Sequence, residues 1–175
     1  MQVRSRQRGA SLIEVMVAVL IFSVGLIGVA GLLIMATRSN HAAYLRTQVT
    51  FLAHSMADRM RANPMGVWSA SYNSDSYPIA STQQCDTGCT PSQLAAHDQG
   101  MWSRQLSTFL PDATASIKCT NGGAGYAPSA DQMAMRPPYG GSCSMKITWS
   151  ERAVSGKIAS GSEIPTQTFA WEFQP

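Results

Sequence analysis

The sequence predicts an α+β chain. A long N-terminal helix, apolar in its first half and amphipathic in its second, packs against a small antiparallel β-sheet, with a short second helix and disulfide-stapled loops. Three observations predict it. An uncharged apolar run extends from Val15 to Thr37. Beyond it Leu45, Val49, Leu52, Met56 and Met60 recur at three- and four-residue steps, the spacing of one helix face. Three later segments alternate apolar and polar residues with a period of two.

The first element is set by charge as much as by hydropathy. The 175 residues are 45% hydrophobic and only 13% charged, sparse for a soluble surface. Glu14 is the only charge between Gly9 and Arg38. The formal net charge of +3 is local: Arg4, Arg6 and Arg8 stand before Gly9 with no acid among them. Removing those three from the thirteen Lys and Arg leaves ten against ten Asp and Glu. The remainder is formally neutral, which gives no support to a nucleic-acid surface.

Val15 to Thr37 is about twenty-three residues, enough to span a bilayer as a helix. Positive charge ahead of it favours a cytoplasmic N-terminus and a translocated C-terminal part. A secretory signal carries its small-residue cleavage site after the apolar core. Here the small-residue site, Arg8-Gly9-Ala10-Ser11, comes before it. Cleavage after Gly9 would keep the anchor and create an α-amino group at Ala10, about one helical turn from Glu14. A carboxylate in lipid needs a partner. Within one chain that contact is imperfect. Between axially offset neighbours, Glu14 of one chain meets the amino terminus of the next, and low dielectric penalises other registers.

Basic leader, Gly9, Glu14 at the fifth position after it, then an apolar helix: this arrangement resembles a type IV prepilin or a type II secretion pseudopilin. The resemblance implies the type IV pilin fold. It also implies a membrane-embedded prepilin peptidase that cuts after Gly9 and N-methylates Ala10, with Glu14 acting in assembly. The sequence departs from the family in having Ala10 where phenylalanine is usual. The implied organisation is a leader over 1–9, a transmembrane and filament-core helix over 10–37, the amphipathic half of that helix over 38–63, and a periplasmic head over 64–175. The plainer alternative is an uncleaved single-pass anchor with a chance glutamate. Gly25, Gly28 and Gly31, with Ser23 and Ala30, would let helices approach closely, or are a membrane helix's usual share of small residues.

The amphipathic half should end at Asn63-Pro64, because a residue before proline avoids the helical region. Met56 and Met60 read as core, and Arg59 and Arg61 as a solvated face near a helix C-terminus or a contact to another subunit. Val67 to Thr90 reads as loop. Thr90-Pro91-Ser92-Gln93 then reads as an N-cap, a first-turn proline and a capping glutamine, opening a helix through Leu94, Met101, Trp102, Leu106, Phe109 and Leu110. Pro111 closes it. Strand periods follow at Ala115–Cys119, Cys143–Trp149 and Phe169–Phe173. Thr120 to Ser142, rich in glycine and proline, reads as a long loop, and Val154 to Pro165 as the connection of a hairpin. No internal repeat is present.

The four cysteines all lie beyond the apolar run, where export would favour disulfides. Three pairings exist for four cysteines. The expected one is Cys85 with Cys89 and Cys119 with Cys143, and a four-thiolate zinc site is the alternative. No histidine among His41, His54 and His97 makes a metal spacing. No phosphate loop, nucleophile elbow or acid–base pair stands out, so no catalytic residue, metal, cofactor or small-molecule substrate is expected.

The segment Asp58-Arg59-Met60-Arg61-Ala62-Asn63-Pro64 is similar to the PilV-type minor pilins, as are Trp102 with Leu110-Pro111 and the strand containing Ile147-Thr148-Trp149. The resemblance implies a minor pilin that primes type IV pilus assembly within a minor-pilin complex at the tip. It implies an inner-membrane start, a periplasmic head and an extracellular end in the pilus. Its implied partners are the prepilin peptidase, other minor pilins, the major pilin and a tip-associated adhesin. The alternatives are a type II secretion pseudopilin and, in another class, a monomeric membrane-anchored binding domain.

Overall fold

The computed structural model describes residues 9, 11–123, 125–151 and 165–175. The order is α1 (Leu12–Ala62), α2 (Pro64–Trp68), β1 (Ser74–Tyr77), α3 (Pro91–Phe109), β2 (Thr114–Thr120), α4 (Ala130–Ala134), β3 (Ser142–Ser150) and β4 (Thr166–Phe173). The chain divides into two units between His41 and Ala42.

The described part of the first unit is almost wholly helix. Its side chains from Leu12 to His41 are all exposed, among them Leu20, Ile21, Phe22, Leu32 and Leu33. No glycine of this stretch meets another atom where a Cβ would stand.

The second unit, Ala42–Pro175, is α+β. The last turns of α1 bury Leu45, Val49, Leu52, Met56 and Met60, the stripe read from the sequence, with Ala53 and Ala57 beside them. The helix stops where expected. Asn63 leaves the helical region at φ −129° and ψ 63°, and Pro64 cannot donate back into α1. The same two residues start α2: the Asn63 side chain accepts from the Gly66 N–H, and Pro64 takes the first helical turn.

α3 opens on a complete capping box. Thr90 Oγ1 accepts from the Gln93 N–H, and Gln93 Oε1 accepts from the Thr90 N–H. It ends at Leu110, ahead of Pro111. Its buried face carries Ala95, Trp102 and Leu106, and also Asp98, Gln99 and Ser103. Phe109, read as part of the apolar face, is exposed instead. Trp102 has no exposed surface; its Nε1–H donates to the Leu52 carbonyl at 2.9 Å, and its ring meets Tyr77 edge-on. Burying a tryptophan in a tight site contributes about 3 kcal/mol or more.

The sheet is antiparallel throughout, in the order β1-β2-β3-β4. Its inner face carries Ala115, Ile117 and Cys119 on β2 and Cys143, Met145, Ile147 and Trp149 on β3. On β4, Phe173 is buried while Phe169 and Trp171 are half-buried. These side chains and those of α1 and α3 form one core.

Two loop readings need correction. Val67 to Thr90 contains the end of α2 and all of β1, a polar strand with no alternation to betray it. β1 exists because β2 offers an edge, and Asn73 extends the pairing: its side chain accepts from Cys119 N–H at 2.8 Å and donates to Cys119 O at 3.2 Å. Thr120 to Ser142 contains α4, capped by Ser129 and Gln132 in the same reciprocal way as α3. The hairpin connection read over Val154 to Pro165 lies, apart from Pro165, outside the described residues.

Candidate functional site

α1 begins on the Ser11 carbonyl, which accepts from Glu14 N–H at 3.0 Å and from Val15 N–H at 3.2 Å. Glu14 therefore stands in the first turn, where the helix dipole favours a negative charge. The Glu14 side chain is exposed, and among the described residues it has no ion-pair partner. Gly9 is exposed with open space around it. Ala10 and the basic leader 1–8 lie outside the described residues. The helix that carries Glu14 is long and apolar enough to cross a membrane, and its apolar stretch is wholly exposed. The surface offered by this segment suits lipid or other apolar helices.

The head holds a buried polar network that the sequence reading missed. Asp98 on α3 accepts from Arg59 Nη1 at 3.0 Å and from the Tyr72 hydroxyl at 2.7 Å. Asn63 Nδ2 reaches Tyr72 Oη at 3.2 Å and the Pro91 carbonyl at 2.7 Å. Tyr77 donates to the Tyr72 carbonyl at 2.9 Å and accepts from Gln99, which also donates to Ser71 O. Arg59 is thus an internal strut and not a solvated residue, because α3 brings a carboxylate to it. Arg61 stays on the surface, paired with Asp58 one turn back. Burial pushes the Tyr72 phenol up, and the hydrogen bond to Asp98 adds to it. Burial also raises Tyr77 to about 12, against the opposing hydrogen bond from Gln99. The missed signal was Asp98 itself. It falls four residues from both Leu94 and Trp102, so a charge sat on the face the periodicity assigned to the core.

Both expected disulfides are present, Cys85–Cys89 and Cys119–Cys143, and they exclude a four-thiolate zinc site. Cys119 and Cys143 are direct register partners on β2 and β3, and their bond closes the base of the Thr120–Ser142 segment. Among the described residues no group of three or more His, Cys, Asp or Glu could hold a metal. His54 packs against Trp171, and His97 Nδ1 lies 2.8 Å from the Gln83 carbonyl.

The prokaryotic N-terminal methylation motif matches residues 4–30. That window holds the leader arginines, Gly9, Ala10, Glu14 and most of the apolar run. The match supports a type IV prepilin-like protein. The motif's family is structural and not enzymatic. Motif and helix together are consistent with a membrane-anchored pilin-like chain, and the pilin-like fold of the head agrees with them. No curated protein and no solved structure matches the chain.

Proposed function

We propose that this chain is a minor pilin that takes part in priming and assembling type IV pili. The supporting observation is the division of labour along α1. Its first part, from Leu12 to Met35, offers an almost wholly apolar surface with Glu14 as its single charge, while its last turns are consumed by the core of a disulfide-bonded head. A segment that packs against nothing among the described residues is suited to packing among like helices.

In this reading the prepilin peptidase cuts between Gly9 and Ala10 and methylates the new terminus. The precursor waits in the inner membrane with its head in the periplasm. Glu14 then pairs with the amino terminus of an adjoining subunit, which selects one axial offset. The head chooses its neighbours, which are other minor pilins, the major pilin and a tip-associated adhesin, and the subunit ends in the extracellular pilus.

Mass analysis of the mature N-terminus, in cells with and without the peptidase, tests the processing. N-methylated Ala10 is expected in the first case and intact Met1 in the second. Gene deletion tests the assignment. Loss of surface pili supports it, whereas loss of exoprotein secretion with pili intact would assign the chain to a type II secretion pseudopilus. An intact N-terminus in both strains would leave a monomeric anchored domain.

A further inference from the structure

The sheet ends differently on its two sides. β1 has four residues, pairs irregularly with β2 and stops at Pro78. Short length, irregular register and a flanking proline are ordinary protections of a sheet edge. β4 has eight residues, keeps regular register against β3, and contains no proline, no lysine and one ionisable side chain, Glu172.

The ladder fixes which β4 groups face outward. Glu151 N–H donates to Pro165 O at 3.0 Å, so that pair is a hydrogen-bonded one. Such pairs alternate along an antiparallel ladder. In the register of β3 and β4, Gln167, Phe169, Trp171 and Phe173 then bond inward. The N–H and C=O groups of Thr166, Thr168, Ala170 and Glu172 point away from the sheet. Among the described residues no loop, turn or side-chain hydrogen bond reaches the backbone of these four. The core layer is also unfinished here. Phe169 and Trp171 are half-buried, whereas Ile147 and Met145 opposite them are sealed.

We propose that the outer edge of β4 docks an extended strand of a different, membrane-tethered subunit, added antiparallel beside Thr166–Phe173. Alternate apolar residues of that strand cover Phe169 and Trp171. On the outer face, where Lys118, Ser144 and Glu172 share one row, the position beside Glu172 suits a lysine or arginine. The surface belongs to the head alone; the tether of the partner rests on the pilin reading above.

Direction excludes the simplest occupant, a second copy related by a two-fold axis. Within the head α1 and β4 run the same way. Arg46 lies by Glu151 just before β4, His54 packs on Trp171, and Arg61 shares a hollow with Gln174 and Pro175 just after it. A two-fold centred on Ala170 would match Phe169 with Trp171 of the other copy. It would also place the two Ala42 positions at opposite ends of a strand roughly 26 Å long, although both lead into anchors in one bilayer. Because an antiparallel four-stranded sheet has oppositely directed edges, a neighbour of the same plan standing the same way up offers its first edge antiparallel to β4.

The test uses the full-length protein in detergent and a fluorescent nine-residue peptide that alternates valine and threonine, with one arginine on its threonine face. Saturable binding is expected. Ala170→Pro removes one outward N–H without touching the β3 ladder, and should weaken binding about fivefold. Glu172→Lys should weaken it as well, and it spares every backbone group. A peptide of the same composition in scrambled order should bind at least about fivefold more weakly. Equal binding of the two peptides, or binding indifferent to both substitutions, overturns the docking site. Neither arm depends on pili or processing, so its failure is distinct from failure of the minor-pilin reading. In native membranes, Ala170→Cys chains should stay monomeric under oxidation; a disulfide-linked dimer would show two-fold pairing and overturn the choice of partner.

Discussion

Arg59 on α1 and Asp98 on α3 form an ion pair at 3.0 Å, with Asp98 nearly sealed from solvent and Arg59 about a quarter exposed. The pair ties the end of the long helix to the helix beside it. Removing one member of such a pair strands the other, and the cost exceeds what the contact is worth while intact. Asp98→Ala should destabilise the full-length protein in detergent by about 3 kcal/mol, because it strands Arg59 and the Tyr72 hydroxyl together. Asp98→Asn, which keeps an acceptor oxygen for one of the two donors, should cost less. Urea unfolding followed by tryptophan fluorescence measures both, and a loss below about 0.5 kcal/mol for the alanine variant would refute the strut.

The two buried tyrosines predict how stability responds to alkali. Tyr72 and Tyr77 both hold their protons more tightly folded than unfolded. Between the unfolded value near 10 and the folded value, the unfolded chain binds fewer protons, so raising the pH favours unfolding. Their contribution is therefore complete below about pH 10 and is lost as pH rises toward 12, the folded value of Tyr77. Tyr77→Phe should flatten the fall in melting temperature above about pH 10. An unchanged slope in that variant would place the titrating groups elsewhere.

The two disulfides should differ in weight. Cys119–Cys143 closes a 24-residue separation and Cys85–Cys89 one of 4. Loop-closure entropy assigns about 3.5 kcal/mol to the first and about 2 kcal/mol to the second. Replacing each pair with serine and melting the protein under non-reducing conditions should give the larger drop for Cys119 and Cys143. That bond also joins neighbouring strands and anchors a segment whose Gly141 leaves no room for a Cβ against Tyr139 and Thr120.

Legibility followed the strength of the local physical signal. The stripe Leu45 to Met60 and the alternation on β3 repeat several times within one element, and the capping box at Thr90 lies within four consecutive residues, so all three could be read without knowing any neighbour. β1 could not, because Ser74-Asp75-Ser76-Tyr77 becomes a strand only through the edge of β2 and the side chain of Asn73. α2 and α4 are single turns, and their only announcements are Asn63-Pro64 and Ser129 with Gln132. Asn63-Pro64 was read as a stop when it is also a start. The role of Arg59 depended on which helix lies beside α1, and periodicity carries no such information. Glu14 was the reverse case. Its isolation within an apolar run is visible in sequence, and α1 adds its position in the first turn.

That isolation supplies the final prediction. If Glu14 acts by charge, Glu14→Gln keeps size and hydrogen-bonding capacity but removes the attraction to a neighbour's amino terminus. In the proposed reading the peptidase cuts between Gly9 and Ala10, on the other side of Ser11, so the variant should still be cut. Incorporation into filaments should fall about tenfold or more, the equivalent of at least about 1.4 kcal/mol. Glu14→Asp keeps the charge on a shorter arm and should recover part of the loss. Immunoblots of sheared filaments against whole membranes separate these outcomes, since uncut protein migrates with its leader and cut but unincorporated protein stays in the membrane fraction. Filaments that take up the glutamine variant as readily as the parent would show that the carboxylate charge does not set the register of the subunits.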